Sequence, residues 1–279
     1  MRKLLIAGFA VASLAGGSAR AADMPVRMPP PVPVFSWTGF YLGANVGYGW
    51  REEANYATNV TCPAVLFCFY DRPQDLALVS GLGTGSGSSG RGITGGFQGG
   101  YNYQLGAFVV GAEADWSYFS RNSVLSNRGF DSFGAIVSLT NETQSSWLAT
   151  FRGRLGWAAD RILIYATGGG AVTDLRYVQT INAVDRVAGL AQTAQSAGST
   201  TQGGWTVGGG AEFAPWDHLS VRAEYLYVHF NGVSQTFNFT VPGFNPNLIA
   251  GSSGAQNNHI VRVGLNYLFG SGGAVVARY

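Results

Sequence analysis

Residues 107–119 alternate strictly between two kinds of side chain. Phe108, Val110, Ala112, Ala114, Trp116 and Tyr118 fall on one face, and Val109, Gly111, Glu113, Asp115 and Ser117 on the other. Successive side chains of a β-strand point to opposite faces, so this segment is a strand with one apolar and one charged side. The alternation returns at 38–50, 93–103, 147–157, 162–177, 205–213, 219–230 and 259–269. The apolar faces carry so many aromatics that they read as the outside of the molecule, with the polar faces inside. That inverted order is the pattern of strands that meet lipid. The expected fold is all-β, an eight-stranded antiparallel transmembrane β-barrel.

The connections sort by length. Short turns fall at Leu105-Gly106, Asp160-Arg161 and residues 215–218, and long connections at 51–92, 120–146, 178–204 and 231–258. Outer-membrane barrels have short periplasmic turns and long extracellular loops, and an even strand count leaves both termini in the periplasm. A soluble β-sandwich has no reason to sort its loops this way. Within 162–177, Ile162-Leu163-Ile164-Tyr165 does not alternate and Gly168-Gly169-Gly170 hides the register, so the facing of that strand stays open. The stretch 81–92 is rich in Gly and Ser and reads as a mobile part of the first loop.

Charge is scarce, at 11% Asp, Glu, Lys and Arg, whereas a soluble chain carries about 25%. Glycine reaches 41 residues and aromatics 13%. The net charge of +2 indicates no particular partner, and no Lys/Arg-rich stretch marks nucleic-acid binding.

Residues 1–21 have the parts of a secretory signal: Arg2 and Lys3, a short apolar run, and Ala19-Arg20-Ala21 as a cleavage site. The run is too short to span a bilayer as a helix. Residues 22–36 form a Pro-rich leader, 37–269 the barrel, and 270–279 a tail. Cys62 and Cys68, six positions apart in an exported chain, are expected to pair as a disulfide. No histidine or paired carboxylates flank them, which disfavours a metal site.

The inner faces carry Glu113, Asp115, Glu212 and Glu224 against Arg152, Arg154, Arg222 and Arg262, a neutral set. Eight strands enclose a space just wide enough to be filled by side chains. Desolvated charges there must pair. One reading is a salt-bridged plug, and the other a gated narrow pore in which rearranged pairs open a water path. An enzymatic reading needs a nucleophile beside an oriented base. His218, His229 and His259 are the only histidines, and nothing in the sequence fixes one beside a serine such as Ser234 or Ser252. No catalytic, metal or cofactor site is expected. Trp37, Trp50, Trp116, Trp147, Trp157 and Trp205 are expected near the membrane interfaces.

The motif Trp37-Thr38-Gly39-Phe40-Tyr41-Leu42-Gly43-Ala44-Asn45-Val46-Gly47-Tyr48-Gly49 resembles the small outer-membrane barrels of rhizobia and related alphaproteobacteria, similar in turn to OmpA-type and opacity-protein barrels. The likeness continues through Gly95-Gly96-Phe97-Gln98-Gly99-Gly100-Tyr101-Asn102, Phe151-Arg152-Gly153-Arg154-Leu155-Gly156 and Gly264-Leu265-Asn266-Tyr267-Leu268-Phe269. The resemblance implies a surface-exposed, structural envelope protein, sometimes described as porin-like. It also implies a terminal aromatic read by the barrel-assembly machinery, for which Phe269 and Tyr279 are rival candidates. The role expected is envelope integrity and surface presentation, as a monomer among outer-membrane lipids and lipopolysaccharide. The alternatives are a small low-conductance porin and a binder of a surface ligand or host factor through its loops.

Overall fold

The computed structural model describes residues 35–53, 55–63, 68, 70–185, 189–239 and 247–270. The signal segment 1–21, the leader up to residue 34 and the tail from 271, including Tyr279, lie outside them.

Twelve strands and one helix are described: β1 (Gly39–Arg51), β2 (Asn55–Thr61), α1 (Pro73–Leu82), β3 (Gly85–Ser86), β4 (Arg91–Leu105), β5 (Phe108–Phe130), β6 (Ile136–Ala159), β7 (Ile162–Asp185), β8 (Leu190–Trp216), β9 (Leu219–Phe230), β10 (Val233–Phe239), β11 (Asn247–Ser253) and β12 (Gln256–Leu268). Eight of them close into a barrel in the order β1-β12-β9-β8-β7-β6-β5-β4, and every neighbouring pair is antiparallel. Closure leaves the wall without a free edge, which a sheet in hydrocarbon requires.

The outer face is the aromatic and aliphatic one. Phe40, Leu42, Ile93, Phe97, Phe108, Trp116, Phe151, Leu155, Val207 and Leu265 all point outward and are exposed. Ile162 and Ile164 point outward, while Leu163 and Tyr165 are buried inside. The register that the sequence left open is thus an ordinary alternation, hidden because both faces are apolar there. At one end of the barrel β4–β5, β6–β7 and β8–β9 are joined by two residues each. Asp160 adopts φ 50° in the middle turn, a left-handed conformation that Asp tolerates better than most residues.

The opposite end departs from expectation. Most of the described residues in 120–146 and 178–204 are strand rather than loop: β5 to β8 run for 23, 24, 24 and 27 residues, where a membrane crossing needs about 9–11. They leave the barrel as a four-stranded extension. The pairing shifts between Tyr118 and Arg121 and between Gln144 and Leu148, where the wall turns into that extension. Within the connections 51–92 and 231–258, β2, β3, β10 and β11 make a second sheet in the order β10-β11-β2-β3. The Gly/Ser stretch 81–92 carries the end of α1, then β3, and Ser88 N donates to the Val124 carbonyl at 3.0 Å.

Together these parts form a dome with its own core. Val60, Val79, Leu82, Val137, Leu139, Ile181, Phe239 and Ile249 come from β2, α1, β6, β7, β10 and β11 and form one buried cluster. Asn141 and Gln179 sit inside it. Asn141 Nδ2 donates to the Gly83 carbonyl at 2.9 Å, and Gln179 Nε2 to Asn141 Oδ1 at 2.6 Å. Cys62 and Cys68 are joined by a disulfide with their Cα atoms 5.9 Å apart.

Candidate functional site

Five strands with period-two alternation bring charge to the middle of the lumen. Glu113 and Asp115 come from β5, Arg152 and Arg154 from β6, Glu212 from β8, Arg222 and Glu224 from β9, and Arg262 from β12. All eight are buried, none more than 5% exposed. Across the wall, Glu113 is in register with Arg152, Glu212 with Arg222, and Glu224 with Arg262.

The ion pairs do not simply follow register; several cross the lumen. Arg222 on β9 pairs with Glu113 on β5, the strand diametrically opposite in the ring. Arg152 reaches Glu113, Asp115 at 2.8 Å and Glu224 at 3.1 Å. Arg262 holds Asp115 at 3.0 Å and Glu224 at 2.6 Å. Arg154 and Glu212 form a separate pair, and among the described residues neither makes a second ion pair within 4 Å. These contacts tie opposite walls together, so the barrel cannot widen without breaking buried ion pairs.

Neutral side chains complete the network. The Tyr41 hydroxyl donates to Glu113 at 2.6 Å and that of Tyr165 to Glu224 at 3.0 Å. Thr150 donates to Asp115, Ser220 to Glu212, and Asn266 Nδ2 to Glu212 at 2.8 Å. Gln98 joins Asn266 at 2.7 Å and Asn45 at 2.5 Å. The Arg154 guanidinium lies 3.6 Å over the Tyr165 ring. Most of the polar members share the inward parity of the charged residues on their strands; Tyr165 does not declare itself, because it lies in the strand whose facing the sequence leaves open.

Glycine makes room for these long side chains. A Cβ on Gly100 would lie 2.5 Å from both the Tyr41 hydroxyl and the Ala112 carbonyl.

Apolar layers stand on both sides of the charges. Towards the two-residue turns lie Phe35, Trp37, Tyr41, Val109, Ala158, Leu163, Tyr165, Ala214 and Leu268. Trp37 is therefore not an interfacial residue. It is 2% exposed and turned inward, with its indole N–H on the Asp160 carbonyl at 3.0 Å. Trp50, Trp116, Trp157 and Trp205 do face outward. Trp147 is partly buried. Towards the dome, Phe119, Leu148, Ala171, Leu226, Val228, Phe230 and Ile260 form the second layer. β5 shows the order along a strand: Val109, then Glu113 and Asp115, then Phe119.

The histidines take ordinary places. His259 Nδ1 faces the Tyr225 hydroxyl at 2.6 Å and Nε2 faces Glu52 at 3.1 Å, and its ring stacks on Trp50. His229 stacks on Trp205. Neither has Ser234 or Ser252 as a hydrogen-bond partner. Glu52, just beyond β1, accepts hydrogen bonds from Asn257 at 2.6 Å and from His259, which hold its carboxyl below the usual range. Among the described residues no cluster of three metal-ligating side chains occurs. Phe269 is outward-facing, its N–H on the Phe40 carbonyl at 2.8 Å and its ring 5.0 Å from that of Tyr267.

A family model described as an outer membrane protein beta-barrel domain matches residues 9–269. The chain belongs to this outer-membrane β-barrel family. It is 32% identical to a 31 kDa outer-membrane immunogenic protein of Brucella melitensis, over 96% of this chain and 100% of that relative. It is 27% identical to a 22 kDa outer membrane protein of Rhizobium leguminosarum bv. viciae, over 75% of this chain and 70% of that one. Among solved structures, the outer membrane protein OprG of Pseudomonas aeruginosa covers 83% of this chain at 10% identity, with a TM-score of 0.42. The relatives named here carry the names of outer-membrane proteins rather than of enzymes. The protein is thus a member of an alphaproteobacterial group of barrels, located in the outer membrane.

Proposed function

We propose that this outer-membrane barrel is a closed structural protein that supports envelope integrity and presents a folded dome at the cell surface. One observation carries the reading: the lumen holds a neutral, cross-braced set of buried ion pairs with an apolar layer above and below it. A water path would have to pass both layers and separate the pairs, and buried charges separated from their partners cost several kcal/mol each. The two-residue turns then lie in the periplasm and the dome outside, the sidedness of outer-membrane barrels. The outward ring of Phe, Leu, Val and Trp meets the lipid and the lipopolysaccharide acyl chains. Phe269, at the end of β12 on the outer face, serves as the aromatic read by the assembly machinery. The barrel works as a monomer and carries out no catalysis.

Cells lacking the protein should release more of a periplasmic reporter enzyme and become more sensitive to detergent. Re-expression should reverse both effects. Unchanged leakage and sensitivity in the deletion strain would contradict the envelope role.

A further inference from the structure

Above the second apolar layer, at the floor of the dome, two further arginines are buried. Arg51 ends β1 and Arg121 follows the irregularity in β5, and each is 2% exposed. They lie close together. The inner side of Gly49, two residues before Arg51 on the same face, is covered by the Arg121 guanidinium, and the two cations repel each other. Unlike the lumen arginines, neither makes an ion pair with a carboxylate among the described residues.

Their hydrogen-bonding capacity is largely unspent. Arg51 Nε donates to Asn258 Oδ1 at 3.3 Å, but its Nη1 has no partner among the described residues. Arg121 has none for Nε, Nη1 or Nη2, and lies 3.9 Å over the Phe119 ring. Asn258 stands opposite Arg51 in register and Gln256 precedes it on the same face of β12; both are buried, and Asn258 Nδ2 and Gln256 Nε2 are also without partners among the described residues. These unpaired atoms are all nitrogen donors. The wall facing them carries no side chain at Gly92, opposite Gly49, where a Cβ would come within 4 Å of the Ser120 carbonyl alone, at 3.4 Å.

Two adjacent buried cations with no counter-charge are strongly unfavourable on their own. A guanidinium fork matches the oxygens of a tetrahedral anion, and the strength of such bonds rises when both partners are charged. We propose that Arg51, Arg121, Asn258 and Gln256 form a binding site for a small free oxyanion of the phosphate type. The ion neutralises the two arginines and joins β1, β5 and β12 where the barrel meets the dome.

The test uses the full refolded chain, freed of lipid, in non-ionic detergent micelles and chloride buffer at constant ionic strength. Titration with inorganic phosphate should give saturable heat near one ion per chain, and the urea unfolding midpoint should rise and level off over the same range. Arg51→Gln and Arg121→Gln should each weaken the affinity by about tenfold or more. Arg128→Gln, at an exposed dome position, should leave it unchanged. Absence of saturable heat from the wild type would overturn the proposal. So would a midpoint that climbs without saturating and equally in all variants, which is the signature of salt exclusion from the surface. A response only to vesicles containing a phosphorylated lipid would overturn the free-ion assignment. Should Arg121→Gln fail to fold, the wild-type titration and Arg51→Gln decide the matter.

Discussion

Replacing Arg154 by alanine strips one buried carboxylate of its only ion-pair partner among the described residues. Glu212 is 1% exposed and, among the described residues, makes no ion pair with another cation, while Ser220 and Asn266 remain as hydrogen-bond donors. Breaking a buried pair by removing one partner costs about 3–5 kcal/mol. Loss of the guanidinium from the Tyr165 ring face adds about 0.5–2 kcal/mol. The expected loss for Arg154→Ala is therefore about 5 kcal/mol, measured by urea unfolding of the refolded barrel followed by tryptophan fluorescence and gel mobility. Arg154→Met combined with Glu212→Gln removes both charges, and Gln can still accept from Ser220. The double variant should recover most of the loss, to within about 1 kcal/mol of the wild type. An unchanged midpoint for Arg154→Ala would refute the reasoning. So would strictly additive effects of the two substitutions, because a pair that does not couple is not a brace.

Three further expectations follow from particular residues. Gly100→Ala should destabilise the barrel by about 1–3 kcal/mol, since its Cβ meets the Tyr41 hydroxyl and a backbone carbonyl at 2.5 Å; Tyr41→Phe should relieve only part of this in the same unfolding assay. Opening Cys62–Cys68 with a reductant should expose the dome to protease near those residues while the gel mobility of the folded barrel stays unchanged, because a bridge spanning six positions constrains only about 2 kcal/mol of chain entropy. The carboxyl of Glu52 should titrate below the usual glutamate value of about 4.3 by carbon-detected NMR, and Asn257→Ala should move it up. Its contribution is present above the unfolded pKa and is lost as pH falls through the lower folded one, so acid and not base should loosen the β1–β12 junction.

The membrane wall was legible because lipid on one side and a packed lumen on the other impose opposite chemistries on alternate residues. Phe108 beside Val109 is the exception that explains the difficult strand: at the turn end both faces are apolar, as with Ile162 to Tyr165. The dome was not legible for a related reason. Once β5 leaves the lipid, its two faces read Arg121, Ser123, Leu125 and Asn122, Val124, Ser126, with no aromatic belt to mark a side. Such a stretch resembles a loop when judged by hydrophobic alternation alone. The helix did leave a signal, with Pro73 at its first turn and Asp75 close behind. The lumen charges stood out as inward-facing ionic residues, but their cross-lumen pairing depends on side-chain reach, which register does not specify. Arg51 and Arg121 escaped notice because they fall where the strands were expected to have ended.

Planar-bilayer recording of the wild-type protein beside Arg154→Ala tests the central claim, that the lumen is sealed by braced charges between apolar layers, most directly. The account predicts a silent wild type, with current steps appearing only in the variant. Stable conductance steps from the wild type would contradict it, and would make the same charges the selectivity lining of an open pore.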